Sequence, residues 1–244
     1  MSFVNEYATY SVRILQEIWE NESGRIAQAG KFVADSIAAD GLLYAFGCGH
    51  SHMIEEELFY RAGGLGAVYP MFDTSTMLQE GAAKSSMIER MSGYADKVFS
   101  RYPVTERDTV LLASTSGINS FIIEFAQQAK ARGAKVIGIT SYAYLEKPSR
   151  QKDGLHLADV CDLAIDNHVP VGDAVVTVCT DGTKAGPVSS IATLAICDAI
   201  ELAACQSLRD RGLDPEVFRS GNCEGSDEYN ARLIRKYQGR IRSL

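Results

Sequence analysis

Apolar residues along the chain follow two spacings. Between Val4 and Asn21, Tyr7, Tyr10, Ile14 and Ile18 recur at helical intervals, and between Glu22 and Ala39 so do Ile26, Phe32, Val33 and Ile37, with Gly41 as a stop. The N-terminus is therefore predicted to be two helices. Short apolar runs then take over: strands are predicted at Leu42 to Phe46, Gly66 to Met71, Thr109 to Ala113, Lys135 to Thr140, Val160 to Asp166 and Ala174 to Cys179. Between them, helical spacing predicts helices from about His52 to Ala62, Ser86 to Arg101, Ser120 to Arg132 and Ser189 to Arg211. A polar loop, Ser220 to Asp227, leads into a last basic amphipathic helix carrying Leu233, Ile234, Tyr237 and Ile241.

Short strands alternating with helices predict an α/β fold: a three-layer sandwich whose parallel sheet has helices on both faces. Ligands of such open sheets bind beyond the carboxyl ends of the strands. No low-complexity linker interrupts the 244 residues, which read as a single domain: N-terminal helices 4–39, a core 42–211 and a helical tail 212–244.

Two of the predicted strands end in small, hydroxyl-bearing loops, Gly47-Cys48-Gly49-His50-Ser51 and Ser114-Thr115-Ser116-Gly117-Ile118-Asn119. Exposed N–H groups and serine hydroxyls at a helix N-terminus suit an anion such as phosphate. Ser and Asn are also ordinary helix caps, the simpler account of either loop alone.

Composition narrows the partner. With 24 basic and 31 acidic residues the net charge is −7, and no basic stripe exists to displace counterions from a nucleic acid, so nucleic acid is not expected. An anionic ligand would have to be held locally, against the overall field. The 6 cysteines form no C-x-x-C pair and none has a histidine at metal-ligand spacing, so no metal is expected. Asn5, Glu6, Arg13, Gln16 and Glu17 interrupt the N-terminal apolar residues, unlike a signal peptide, and no unbroken apolar stretch reaches bilayer-spanning length. A cytoplasmic protein with reduced thiols and no membrane contact is the expectation.

The order of G-x-G-x-S (Gly47 to Ser51), S-x-S-G-x-[TN] (Ser114 to Asn119) and a Gly/Ser-rich entry into a long helix (Gly182 to Ser190) resembles the SIS (sugar isomerase) domain family. The tail, Asp227-Glu-Tyr-Asn230 and Lys236-Tyr-Gln-Gly-Arg-Ile241, resembles an uncharacterised single-domain bacterial branch of that family, UPF0309-like. More distantly the chain is similar to phosphoheptose isomerases and N-acetylmuramic acid 6-phosphate etherases. The resemblance implies a flavodoxin-like five-stranded parallel sheet, a homodimer or higher homo-oligomer with shared sites, no cofactor, and a phosphorylated sugar or amino sugar as ligand. It assigns the phosphate to Ser51, Ser114, Ser116 and Asn119. Gly47, Gly49, His52, Thr115, Gly117 and Ser189 complete the candidate binding set. Where the family usually has Thr, this chain has Asn119.

Isomerisation, epimerisation and β-elimination of a phosphosugar all start by removing a proton next to a carbonyl, which needs a base. Family members carry an acid two or more turns beyond the first-loop serine, where this chain has Tyr60 and Arg61. The candidates are instead His50, Glu56 and Glu57 of the acidic run Glu55-Glu56-Glu57, Glu80, and Lys184 as a balance for phosphate or a developing oxyanion. For Glu57 the competing reading is an ion pair with Arg61 four residues on, and for Glu56 it is solvent exposure. The functions expected are a cofactor-free phosphosugar isomerase, epimerase or lyase or, alternatively, a non-catalytic phosphosugar sensor that regulates a protein partner.

Overall fold

The computed structural model describes residues 2–244. Its centre is a five-stranded, all-parallel sheet made of β1 (Leu43–Gly47), β2 (Val68–Pro70), β3 (Thr109–Ala113), β4 (Lys135–Thr140) and β5 (Leu163–Asp166), in the order β2-β1-β3-β4-β5. Side chains alternate between its faces. Leu43 and Ala45 of β1, with Leu111, Ala113, Ile137 and Ile139, pack under α1 (Phe3–Ala38), α2 (Met53–Leu58) and α7 (Ser189–Asp210). Tyr44, Phe46, Val110, Leu112 and Val136 point the other way, toward α4 (Tyr94–Phe99), α5 (Ser120–Ala131) and the tail residues Tyr237 and Ile241. This is the predicted three-layer α/β sandwich.

The N-terminus departs from expectation, since the two predicted helices are one helix of 36 residues. Nothing at the predicted junction breaks it: Asn21 bonds its side chain back to the Glu17 carbonyl at 2.8 Å, and buried Glu22 turns its carboxylate to Arg25 at 3.1 Å. At Gly30 the helix meets α7 so closely that a β-carbon would collide with Ala203.

Three further boundaries differ. The predicted helix from His52 to Ala62 is a short 3-10 turn, Gly49–His52, and the six-residue α2; Phe59 is extended and Tyr60 has φ +52°, so Tyr60 and Arg61 lie past its end. The segment expected as one helix at Ser86 to Arg101 splits into α3 (Ala82–Ile88) and α4, with Gly93 left-handed at φ +82° between them. The strand predicted from Val160 starts only at Leu163, because Val160 ends a one-turn helix, α6 (Leu157–Val160).

The stretch after β5 is not part of the sheet. β6 (Ala174–Thr177) and β7 (Lys184–Pro187) form a separate antiparallel hairpin, against which the N-terminal part of α1 rests through the Tyr7 hydroxyl on the Pro187 carbonyl at 2.8 Å. By length and a mean hydropathy of 1.5, α7 would suffice to cross a bilayer, which a search for unbroken apolar runs passes over. In this fold Ala192, Ile196, Ile200 and Ala204 of α7 are buried in the core. The tail ends in α8 (Ser226–Tyr237), and residues 216–218 pair with residues 63–66 beside β2.

Candidate functional site

Parallel register brings the two loops together. Gly47, the last residue of β1, lies beside Ala113, the last of β3, so the Gly47–Ser51 and Ser114–Asn119 loops leave neighbouring strands at one level. Between them and the N-terminus of α7 is a narrow cleft of about 10 Å³ lined by His50, Ser51, Met53, Ile54, Thr115, Ser189, Ser190, Thr193 and Leu194. Hydroxyls line the cleft, and His50, an exposed loop residue, is its one ionisable side chain. Among the described residues, no lysine or arginine lines it.

The loops are braced from behind. Glu55 is completely buried, and its Oε1 accepts the Gly47 N–H at 2.9 Å. The Gly49 N–H donates to the Thr76 carbonyl at 2.9 Å. His52 lies beneath the loop, its Nδ1 on the Gly49 carbonyl and its Nε2 3.3 Å from the Gln79 amide and 3.4 Å from Glu56. Burial, then the nearby carboxylates Glu89, Glu55 and Asp73, push the Cys48 thiol well above the usual range, which suits a packing residue and not a nucleophile.

In the second loop Ser114 Oγ accepts the Gly117 N–H at 3.2 Å. Gly117 has φ +61°, and a β-carbon there would lie 2.5 Å from Thr140 Oγ1, so the turn needs glycine twice over. Thr115 connects the loop to a residue that sequence reasoning missed. Asn167 is fully buried after β5, and its Nδ2 lies 3.3 Å from both Thr115 Oγ1 and Thr193 Oγ1. It fastens the second loop to α7. The sequence signal was the polar triplet Asp166-Asn167-His168 directly after an apolar strand.

A second unanticipated residue, Asp173, closes the N-terminus of α7. Its Oδ1 accepts the Val188 and Ser189 N–H groups at 2.9 and 2.8 Å, and its Oδ2 accepts the Ser189 hydroxyl at 2.7 Å. The cation expected nearby is absent from the cleft: Lys184 is exposed on β7 and does not line it. The reason is the hairpin, which turns the expected third loop into a strand.

The other candidates divide by their partners. Ser51 and Thr115 line the cleft, and half-buried Ser116 lies in the same loop. Asn119 is buried with its Oδ1 accepting from Arg150 at 2.6 Å, so its side chain is already engaged. Glu57 pairs with Arg61 at 3.1 Å, Glu80 is exposed and paired with Lys84 at 2.6 Å, and Glu56 is exposed beside His52. None of these three acids lines the cleft, nor do the tail acids Glu224, Asp227 and Glu228.

Comparison with known proteins agrees with this architecture. The SIS domain family profile matches residues 6–141, from α1 through β4 and both loops. A UPF0309 protein of Listeria innocua is 40% identical over 239 residues, covering 98% of this chain and 97% of its own. Among solved structures, a candidate phosphosugar isomerase involved in capsule formation from Bacteroides fragilis shares the fold at a TM-score of 0.54 and 19% identity, over 94% of each chain. Vibrio vulnificus NanR, complexed with ManNAc-6P, shares it at a TM-score of 0.52 and 14% identity, over 96% of this chain and 69% of that one. The chain belongs to the SIS domain family.

Proposed function

We propose that the cleft binds a phosphorylated sugar or amino sugar and that the protein is a cofactor-free isomerase, epimerase or lyase acting beside the sugar carbonyl. The observation that carries this reading is the pairing of two small, hydroxyl-rich loops at the level ends of β1 and β3, facing the N-terminus of α7. N–H groups and hydroxyls of the two loops can surround a phosphate without a cationic side chain. The names of the two solved neighbours, a phosphosugar isomerase and a ManNAc-6P complex, support the ligand class.

His50 is the group in the cleft able to move a proton. In an isomerisation it would take the proton from the carbon next to the carbonyl, leaving an enediolate, and return it to the former carbonyl carbon once a proton has passed from the neighbouring hydroxyl to the former carbonyl oxygen. Hydroxyls of Ser51 and Thr115, which line the cleft, would hydrogen-bond the oxygen on which charge develops. As the resemblance implies, we assign the protein to a homodimer, and the exposed Ile191 and Leu202 on the outer face of α7 are the apolar surface available for it.

The test is incubation with a panel of hexose and N-acetylhexosamine 6-phosphates in deuterated water, followed by NMR. Exchange or conversion at the carbon beside the carbonyl, lost in His50→Ala, is the expected result. Tight binding with no exchange by any member would leave the sensor reading in its place.

A further inference from the structure

Behind the first loop lie two buried carboxylates with incomplete hydrogen bonding. Glu55 on α2 is 0% exposed and Asp73, after β2, is 4% exposed. Glu55 Oε1 accepts from Gly47 and Asp73 Oδ1 pairs with Arg101 at 3.0 Å, but Glu55 Oε2 and Asp73 Oδ2 are both buried without any partner. The Asp73 charge acts on the Glu55 carboxyl. A buried carboxylate oxygen without a donor is costly, and two buried carboxylates of which only one contacts a cation cannot both keep their charge cheaply. Arg101 neutralises one of them.

We propose that Glu55 and Asp73 hold a single proton, carried by Glu55, and that neutral Glu55 is a positioning residue for the Gly47–Ser51 loop. The geometry explains why the proton sits there. Arg101 contacts Asp73, whereas the groups around Glu55 are Asp73, the neighbouring Glu56, the Tyr102 ring and the Cys48 thiol, none of them a cation. Burial, then Glu56 and Asp73, drive the Glu55 carboxyl well above its ordinary range, against the one opposing hydrogen bond from Gly47. The protonated acid still offers a carbonyl oxygen to the Gly47 N–H.

Both acids back the same loop. Glu55 takes the Gly47 N–H, while the turn begun by Asp73 holds Gly49, since the Thr76 N–H donates to the Asp73 carbonyl and the Thr76 carbonyl accepts from Gly49. An ionised Glu55 would put negative charge directly beneath a loop meant to receive an anion. Its proton and an anion in the loop therefore favour one another. That last coupling rests on the phosphosugar reading above, whereas the shared proton does not.

The experiment follows the Glu55 carboxyl carbon by NMR in the ligand-free protein, in wild type and in Asp73→Asn. Glu55 is expected to be protonated at neutral pH and to ionise at clearly lower pH once the Asp73 charge is removed. A wild-type Glu55 already ionised at neutral pH, or one whose titration ignores Asp73→Asn, overturns the proposal. Glu55→Gln, which mimics the neutral acid, should keep the Gly47 amide shift, whereas Glu55→Ala should move it; loss of the shift in both variants also overturns it. With glucosamine 6-phosphate as probe, the ratio of wild-type to Glu55→Gln affinity should fall on the order of tenfold from mildly acidic to alkaline pH, and a level ratio overturns the coupling. If the carboxyl behaves as expected but neither this probe nor any other phosphosugar binds, the ligand reading fails and the proton pair stands.

Discussion

Asp173 grips Ser189 at two points, its Oδ1 accepting the backbone N–H at 2.8 Å and its Oδ2 accepting the hydroxyl at 2.7 Å. The 22-residue α7 thus begins with a carboxylate fixed against its free N–H groups, the charge its dipole favours. Replacing Asp173 with Ala should lower stability by about 1–2 kcal/mol, a lost helix cap, in urea unfolding. Ser189→Ala, which keeps the N–H contact, should cost clearly less.

Asn167 ties Thr115 to Thr193 across the floor of the cleft. Asn167→Ala leaves the buried Thr193 hydroxyl and the half-buried Thr115 hydroxyl without this partner, and a loss of about 1–3 kcal/mol is expected in the same assay. Phosphosugar affinity should weaken with it, because Thr115 and Thr193 both line the cleft. Unchanged affinity would mean that the loop keeps its shape without the tie.

Gly117 combines φ +61° with a β-carbon position 2.5 Å from Thr140 Oγ1. Gly117→Ala should therefore destabilise by about 1–3 kcal/mol from backbone strain, with the collision in addition. Adding Thr140→Ala removes the collision but not the strain, so the double variant should recover part of the loss. Full recovery would show that backbone conformation contributes nothing.

Glu201, buried on α7 with its Oε1 on the Leu65 N–H at 3.0 Å, has its carboxyl pushed from 4.5 to about 8 by burial. The folded state then binds the proton more tightly than the unfolded chain does, so its contribution is complete below 4.5 and is lost as pH rises through about 8. Thermal unfolding across that range should show wild type losing more stability with rising pH than Glu201→Gln. Parallel curves would contradict the assignment.

A cleft lined by hydroxyls and no lysine or arginine should also respond weakly to salt. Phosphosugar affinity is expected to change by less than about threefold from low to high ionic strength, because fixed N–H dipoles at contact distance are poorly screened. A steep salt dependence would point to a cation reaching the ligand from elsewhere.

How much of this was legible in the sequence depended on distance along the chain. The strands Thr109–Ala113 and Lys135–Thr140 and the two loops could be read because their signals, apolar runs ended by Gly and Ser, are local. The candidate site was only partly readable. Asn167 acquires its partners across 52 and 26 residues, and nothing near it announces either. Nothing in the acidic run set Glu55 apart from its neighbours; the short α2 turns it inward and leaves Glu56 exposed. Two predicted N-terminal helices became one because Glu22, polar in sequence, is buried against Arg25 and ends no helix. Lys184 left the expected site because the Gly182 turn folds into a hairpin, and a Gly-rich stretch before a helix does not distinguish hairpin from loop.

The tail fixes when this molecule can be finished. Arg240 bonds Asp40 across 200 residues of chain, and Glu216 and Phe218 zip onto residues 63–66 beside the edge of the sheet. As the chain is synthesised, β1 and β2 exist long before their cover does, so that flank of the sheet stays bare until residues 216–241 have been made. Closure is then a late, long-range event, and a nascent chain stalled before Arg240 would expose an unfinished sheet edge.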